Sequence, residues 1–315
     1  MNIDYSIVVP VYYNEGSLRY TAERIRTDVF QKVPQWRGEI VFVDDGSRDG
    51  SLAEVLQVQR DYPSEVRVIK LSRNFGQTNA VWCGMEQTEG PVIMISADGQ
   101  DPVELMPKML DLYFNQNIEL VIATRQSREE SWFRKVTSNL VYSVIRRLGC
   151  SDMPVGGFDY LLIGTKAKAA YLKIWQPNTF FQIRILDLGF TRQFLPCRRE
   201  GRKAGVSRWT LAKKITYMID GVLGHSYVPI RFMSILGLVF SSISFLLAVF
   251  FFVAYFFNPR VVPGLTPVML LTLFIGGVQM MMIGVLGEYL WRILAQSRQN
   301  PPYIIEKIYD GSVCQ

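Results

Sequence analysis

The sequence predicts an α/β domain built on a mostly parallel sheet, followed by a membrane-anchoring region near the C-terminus. Short apolar runs alternate with longer helix-like stretches in the first part of the chain, which is typical of such a domain. Two later stretches, 232–257 and 261–287, contain no charged residue. Hydrophobic residues make up 49% and charged residues 20% of the 315 residues, which excludes general disorder. The uneven placing of the apolar residues also excludes a purely soluble enzyme and a many-pass transporter.

Five apolar runs predict buried parallel strands, because each is short and is followed by a polar turn. They cover residues 5–11, 39–43, 66–71, 92–96 and 120–123. The stretches between them predict helices at 17–31, 51–60, 77–87 and 102–115. Ser51 and Asp101 are predicted N-caps, with Pro102 in the first helical turn. In sheets of this kind, ligands bind beyond the carboxyl ends of the strands.

The two uncharged stretches are each long enough to span a bilayer. The first has 26 residues, and as a helix it would extend about 39 Å, against a hydrocarbon thickness of about 30 Å. The short turn between the stretches carries one basic residue, whereas five lie on the other side: Lys213, Lys214, Arg231, Arg292 and Arg298. The positive-inside rule therefore predicts a hairpin of two transmembrane helices with both termini in the cytoplasm. Two buried core helices are the alternative.

A further apolar pattern precedes the hairpin. Six residues repeat at helical spacing, away from Lys213 and Lys214: Leu211, Ile215, Met218, Ile219, Val222 and Leu223. This pattern predicts an interfacial helix lying on the membrane, with an amphipathic core helix as the alternative. The predicted organisation is thus a cytoplasmic catalytic-sized domain (1–207), an interfacial helix region (208–229), two transmembrane helices (230–292) and a cytoplasmic C-terminal tail (293–315).

Charge and cysteine content indicate the setting of the domain. The formal net charge is +6, and basic residues cluster in 125–147 and 198–214. Basic clusters attract phosphates, and the cluster beside the membrane segments favours anionic lipid; a solvated basic face is the alternative. The four cysteines lack metal-type spacing, which predicts a reducing compartment and no structural zinc. The N-terminus lacks the features of a signal peptide, which places the domain on the cytoplasmic face.

Polar motifs directly follow the first four predicted strands. The first motif runs from Pro10 to Glu15, the second contains Asp44 and Asp45, and the third runs from Arg73 to Gln77. Carboxylates just past a strand end can accept hydrogen bonds from ribose hydroxyls or a base N–H. In the fourth motif, Asp98 and Gln100 can bind a hard divalent cation that also takes diphosphate oxygens.

In this order and on these elements, the motifs resemble the GT-A fold of family 2 glycosyltransferases. The resemblance is closest to the membrane-anchored polyprenyl-phosphate hexose synthases, the group that includes bactoprenol glucosyltransferases and dolichyl-phosphate mannose synthases. It covers essentially the whole chain. The matching segments are VVPVYYNE, VDDGSRDG, LSRNFGQ, SADGQDPVEL, ATRQSR, GGFDYLLI, RREGRKAGVSRW and the C-terminal GEYLWRI.

The resemblance implies a nucleotide-sugar site with a bound Mg²⁺ or Mn²⁺. The donor-binding residues that it implies are Pro10, Tyr12, Asn14, Glu15, Asp44, Asp45, Arg73, Gln77, Ser96 and Asp98. Asp98 and Gln100 are the implied metal ligands. Ser96 stands where the family has a first carboxylate, so the lower negative charge is expected to weaken metal affinity. The PVYYNE segment has one residue more than the family pattern, so its loop is expected to be reshaped.

On the acceptor side, the resemblance implies a role for Asp159, although it is displaced by one position from the family pattern. A phosphate monoester is largely dianionic at neutral pH, because its second pKa is about 6. Such a nucleophile gains little from a general base, so Asp159 is expected mainly to orient acceptor or sugar. The donor diphosphate and the acceptor phosphate repel each other, and guanidinium groups can screen this repulsion by binding phosphate oxygens. The residues expected to screen it, or to bind the acceptor phosphate, are Arg125, Arg128, Arg134, Arg202, Ser207 and Arg208.

The function that the resemblance implies is inverting transfer of one hexose from a nucleotide sugar to polyprenyl phosphate at the cytoplasmic membrane face. UDP-glucose is the first expectation for the donor, and undecaprenyl or dolichyl phosphate for the acceptor. The expected partners are donor, lipid acceptor and bilayer, with no nucleic acid, and glycines near the C-terminal apolar stretch favour a homo-oligomer. One alternative is a processive polysaccharide synthase. Gly205 argues against it, because such enzymes resemble one another in carrying Gln at that position. The other alternative is a catalytically silent membrane scaffold.

Overall fold

A computed structural model describes residues 3–125, 153–154, 157–174, 181–197, 228–257, 265–298 and 300–310. The chain divides into two compact units. The first is Met1–Met218 together with Pro301–Gln315, and the second is Ile219–Asn300.

Within the described residues, the first unit contains a sheet of eight strands. They are β1 Tyr5–Val11, β2 Gly38–Asp44, β3 Val66–Leu71, β4 Val92–Met94, β5 Leu120–Arg125, β6 Leu161–Ile163, β7 Arg192–Cys197 and β8 Ile305–Tyr309. Their order across the sheet is β7-β5-β6-β4-β1-β2-β3-β8. The neighbouring pairs are parallel except where β6 pairs with β4 and β5 and where β8 pairs with β3. The predicted α/β architecture with a mostly parallel sheet is therefore confirmed.

Helices connect the strands of the first unit. They are α1 Leu18–Ile25, which continues as a π-helical segment to Phe30, α2 Ser51–Asp61, α3 Gln77–Glu86, α4 Met106–Phe114, α5 Thr165–Lys173 and α6 Phe181–Asp187. Two predicted N-caps are wrong, because Gly50 caps α2 and Pro102 caps the short 3₁₀ turn before α4. The Ser51 hydroxyl instead accepts the Asn14 N–H from the loop after β1, and the Asp101 carboxylate accepts the Ser96 N–H within its own loop.

The core consists of two apolar clusters, one on each face of the sheet. Alternate residues of a strand point to opposite faces, so Ile7 and Val9 join one cluster and Val8 joins the other. The first cluster includes residues of α1, α2 and α4, and the second includes residues of α3, α5 and α6. This three-layer packing leaves the loops at the strand ends outside the core, where they can form a site.

Two long helices form the described part of the second unit, α7 Val228–Phe257 and α8 Leu265–Ser297. Among the described residues, one stretch of 18, Phe274–Trp291 in α8, is long and apolar enough to cross a membrane, and α7 has a shorter apolar stretch, Ile230–Phe240. The Phe240 and Phe274 rings pack edge to face with their centroids 5.2 Å apart. The two-helix transmembrane hairpin stays a prediction. The interfacial helix predicted for 208–229 lies, apart from the first residues of α7, outside the described residues.

Candidate functional site

The predicted motif loops lie together at one edge of the sheet. Strands β1 to β5 all end at this edge, because they run in the same direction. β6 is antiparallel to β4 and β5, and Leu161 pairs with both Met94 and Ile122. Residue 159, two positions before β6 pairing begins, therefore lies at the same edge as Ser96 and the backbone of Arg125. Among the described residues, the sheet thus brings the motif loops after β1 to β4 and Asp159 to one edge.

The loop after β1 contains a residue in a strained backbone conformation. Tyr13 has φ 56°, in the left-handed region that costs a non-glycine residue about 1–2 kcal/mol. Its N–H donates to Ser47 Oγ (3.1 Å), and the Tyr12 N–H donates to Asn14 Oδ1 (2.9 Å). The Tyr12 ring is 38% exposed and meets the Tyr13 ring edge to face, at 4.6 Å between centroids. Tyr13 lies in the PVYYNE segment; the expected reshaping of this loop relative to the family pattern stays a prediction.

Asp45, at the end of β2, organises the loop after β3. Its carboxylate is buried and accepts hydrogen bonds from the N–H groups of Phe75 (2.7 Å) and Gly76 (2.9 Å) and from Asn74 Nδ2 (3.0 Å). Burial raises the pKa of Asp45 to about 6, against the opposing effect of the two N–H donors. The adjacent Gly46 allows the two loops to touch, because a Cβ there would lie 2.7 Å from a backbone carbon of residue 73. Both carboxylate oxygens of Asp45 are therefore already engaged within the protein.

Asp44, the neighbouring residue, is buried with one carboxylate oxygen available. Its Oδ1 accepts the Ser47 N–H at 3.3 Å, whereas no donor among the described residues reaches its buried Oδ2. Burial raises the pKa of Asp44, and the hydrogen bonds from Ser47 partly offset that rise. A buried acceptor without a partner costs free energy.

The loop after β4 is rich in buried oxygen ligands. Asp98 Oδ1 lies 2.7 Å from Ser96 Oγ and accepts the Gln100 N–H at 3.3 Å. Asp101 Oδ2 accepts the Ser96 N–H at 2.9 Å and lies 2.6 Å from Ser96 Oγ. The single Ser96 hydroxyl proton can serve one of these two carboxylates at a time. Asp98, Gln100 and Asp101 are each at most 9% exposed.

This donor set fits a hard divalent cation such as Mg²⁺ or Mn²⁺, since it consists of carboxylate, amide and hydroxyl oxygens. Within the described residues, no group of three or more His, Cys, Asp or Glu side chains forms a metal site.

The segment that carries Asp159 is tied to the loop after β4. The Tyr160 hydroxyl donates to the Pro102 carbonyl at 3.0 Å, and Gln182 Nε2 of α6 donates to the Phe158 carbonyl at 3.0 Å. Asp159 itself is half-buried. Tyr160 was not among the predicted site residues; as an aromatic residue beside a strand it looks like an ordinary core residue in the sequence.

The other predicted residues are placed only in part. Arg73 is exposed, with its guanidinium carbon 4.1 Å from the centre of the Phe75 ring, and Gln77 is the exposed first residue of α3. Pro10 is half-buried near the end of β1, and the exposed Glu15 accepts the Gly50 N–H. The side chain of Arg125 and the whole of Arg128, Arg134, Arg202, Ser207 and Arg208 lie outside the described residues, so their roles stay predictions.

Comparison with known proteins identifies the kind of domain that carries this site. The family described as Glycosyl transferase family 2 matches residues 6–182. An uncharacterized glycosyltransferase of Bacillus subtilis is 30% identical over 310 residues, which is 98% of this chain and 95% of that protein. The SfII prophage-derived bactoprenol glucosyl transferase of Shigella flexneri is 30% identical over 315 residues, 98% of this chain and 99% of its own length. An undecaprenyl-phosphate 4-deoxy-4-formamido-L-arabinose transferase of Pectobacterium atrosepticum is 30% identical over 307 residues, 96% and 92% of the two chains.

Proposed function

Because the chain belongs to glycosyl transferase family 2 and is a glycosyltransferase, we propose that it transfers one hexose from a nucleotide sugar to polyprenyl phosphate at a membrane surface. UDP-glucose is the proposed donor, and the reaction proceeds with inversion at the anomeric carbon. The observation that carries the donor half of this proposal is the buried, unpartnered Asp44 Oδ2. Nucleotides present several N–H and O–H donors, and one of them would satisfy this oxygen.

The catalytic step follows from the charges of the reactants. The acceptor phosphate oxygen attacks the anomeric carbon while the bond from that carbon to the diphosphate oxygen breaks, so that a nucleoside diphosphate leaves. Asp98 and Gln100 would hold Mg²⁺ or Mn²⁺, which when bound supplies positive charge to the diphosphate. Asp159 orients acceptor or sugar, because a dianionic phosphate needs no base.

Arginines complete the proposed charge balance. Arg125, Arg202 and Arg208 screen the repulsion between the two anionic reactants, since a guanidinium can pair bidentately with phosphate oxygens. Arg128, Arg134 and Ser207 contact the acceptor phosphate. Without such screening, the two phosphate groups would have to approach each other against unopposed repulsion.

The lipid acceptor is supported by the relatives and by the second unit. Two of the named relatives are a bactoprenol glucosyl transferase and an undecaprenyl-phosphate transferase, both matched over nearly their full length. The helix α8 exposes large apolar side chains along its length, such as Phe274, Met280 and Leu290. A bilayer would cover this surface.

We propose that α7 and α8 form a transmembrane hairpin, with the first unit and both termini in the cytoplasm. The chain leaves the first unit after residue 218 and returns to it at Pro301, and β8 then pairs with β3. A chain that returns to the same soluble unit must cross the membrane an even number of times. Glycines of α8 at which an added Cβ would meet nothing within 4 Å support a homo-oligomer with close helix packing: Gly276, Gly277, Gly284 and Gly287.

A transfer assay tests this function. Full-length protein in lipid nanodiscs is incubated with short-chain polyprenyl phosphate and a panel of radiolabelled nucleotide sugars, with and without EDTA. We expect one sugar per lipid, with UDP-glucose as the best donor, and loss of transfer in EDTA. Polymeric product would instead identify a processive synthase. Absence of lipid-linked product with every donor would overturn the proposal.

A further inference from the structure

Glu54, on α2, reaches the beginning of α1 and binds its free N–H groups. Its Oε2 accepts the Gly16 N–H at 2.6 Å, and its Oε1 accepts the N–H groups of Leu18 (3.0 Å) and Arg19 (2.9 Å). The first N–H groups of a helix have no partner within the helix, and a carboxylate is their most favourable one. A single side chain from outside α1 therefore caps the N-terminus of that helix.

Two more bonds join the same two segments, the first donated in the opposite direction and the second in the same direction as those to Glu54. Glu15 Oε2 accepts the Gly50 N–H at 2.9 Å, and Ser51 Oγ accepts the Asn14 N–H at 2.8 Å. A Cβ at Gly50 would displace the Glu15 carboxylate from its present position. We use the term reciprocal clasp for the bonds that Glu15, Ser47, Ser51 and Glu54 make between the loop after β1 and the loop after β2.

The reciprocal clasp holds a loop that would not keep its conformation alone. Tyr13 is left-handed at φ 56°, and such a residue persists only where the surrounding bonds over-determine it. The strained loop carries Tyr12 and Asn14, which belong to the proposed donor pocket. It also lies beside Asp44, since Ser47 bonds both the Tyr13 N–H and Asp44.

We infer that Glu54 is a positioning residue for the nucleotide pocket, acting through the loop at 12–16, and that the start of α1 is closed to the donor diphosphate. This inference rests on the proposed function for the identity of the ligand. The diphosphate does not bind the N–H groups at residues 16, 18 and 19, because these already have a carboxylate partner.

Binding and hydrogen exchange on the full-length protein test the inference. The variants are Glu54→Gln, Glu54→Ala and, from the other loop, Gly50→Ala, and the matched control is Glu23→Gln on α1. Glu23 has no part in the clasp, and within the described residues its ion pair is with Arg19, at 3.8 Å. The measurements are affinity for UDP and GDP by calorimetry, melting temperature, and amide exchange of residues 12–19.

We expect Glu54→Ala to weaken nucleotide affinity about tenfold, with Glu54→Gln intermediate, since hydrogen bonds to a charged acceptor are lost. Amide exchange should accelerate at residues 12–19 in both variants and in Gly50→Ala, whereas Glu23→Gln should match the wild type. Unchanged or tighter nucleotide binding in Glu54→Ala would overturn the inference, because it would mean that α1 can receive the diphosphate or that the loop does not need the clasp. Exchange does not depend on a ligand, so unchanged exchange would overturn the positioning role even if the wild type bound neither nucleotide.

Discussion

At the scale of single residues, Asp44 and Asp45 are adjacent in sequence and have opposite hydrogen-bonding states. Asp45 accepts bonds from Asn74, Phe75 and Gly76, whereas Asp44 Oδ2 has no partner in the described part of the chain. Asp45 therefore joins two loops through its carboxylate, whereas Asp44 is the residue that we propose for nucleotide binding. The two residues therefore form a matched pair for mutagenesis.

We expect Asp44→Asn to lower nucleotide affinity about tenfold or more while leaving the free energy of unfolding unchanged or slightly higher, since it removes an unpartnered buried charge. Asp45→Asn should lower the free energy of unfolding by about 1–3 kcal/mol, because its amide N–H₂ would face N–H donors. Calorimetric titration with UDP and chemical denaturation distinguish the two. Equal loss of stability in both variants would contradict the assignment.

Asp159 offers a test of the base-free mechanism. We expect Asp159→Asn to lower turnover and raise the KM for polyprenyl phosphate without changing the shape of the pH–rate profile, because the acceptor is ionised without help. Initial rates between pH 5.5 and 9 measure this. A variant with nearly full turnover and an unchanged acceptor KM would exclude both the base and the orienting role.

Lys168 of α5 is a buried cation that connects α5 to the end of α3. Its Nζ donates to the Thr88 carbonyl at 2.6 Å, and burial lowers its pKa to about 8. The unfolded chain, with a lysine pKa of about 10.4, binds more protons than the native state between these values. The contribution of Lys168 to stability therefore rises as pH increases from about 8 to about 10.4.

We therefore compare the free energy of unfolding of the wild type with that of Lys168→Met at both ends of this pH interval. Relative to Lys168→Met, the wild type should gain roughly 1–3 kcal/mol as the pH rises. Denaturation curves at pH 7.5 and 10 measure it. Lys32→Met, at an exposed lysine, is the control. The prediction would be wrong if wild type and Lys168→Met differed in unfolding free energy by the same amount at both pH values.

At the scale of elements, β8 pairs with β3, the strand that precedes the loop bonded to Asp45. The Ile304 carbonyl just before β8 accepts the Ser72 N–H at 3.0 Å. Lys70 Nζ donates to Glu306 Oε1 at 2.6 Å across the same pair. Because Ser72 begins the loop that bonds Asp45, β8 supports the pocket from the sheet edge.

Ending the chain after Tyr303 should therefore lower the free energy of unfolding by roughly 2 kcal/mol, through loss of the partly buried Ile305 and of the ladder bonds to β3. Amide exchange should accelerate in residues 66–76. Ending the chain after Asp310 keeps β8 and is the control. If both truncated proteins exchanged alike, β8 would have no supporting role.

At the scale of the whole molecule, the return of the chain to the first unit constrains membrane topology. We expect a cysteine introduced as Val261→Cys, between the end of α7 and the beginning of α8, to face the opposite side of the membrane from Cys314. Two otherwise cysteine-free proteins, one with each of these residues, are labelled with an impermeant maleimide in right-side-out and inside-out vesicles. Labelling of both from the same side would exclude the hairpin.

The sequence by itself determined the alternation of strands and helices, the position of the motif loops and the family. These features depend on residues that are close together in the chain. An apolar run of five or six residues followed by a polar turn indicates a buried strand from its local pattern alone. The domain bounds, the arginine roles and the metal remain predictions. The strands β6, β7 and β8 were not predicted, because β6 is only three residues long and β7 and β8 mix exposed polar residues with few apolar ones.

Only the tertiary structure decided which polar groups are satisfied and by which partner. Asp45 is bonded by residues about thirty positions away, Glu54 bonds N–H groups more than thirty positions before it, and Lys70 pairs with Glu306, 236 positions later. Asp101 looked like a helix cap, yet it binds Ser96. A side chain's hydrogen-bond partner is set by which strands lie side by side and in what register, and a sequence of short-range patterns does not contain that information.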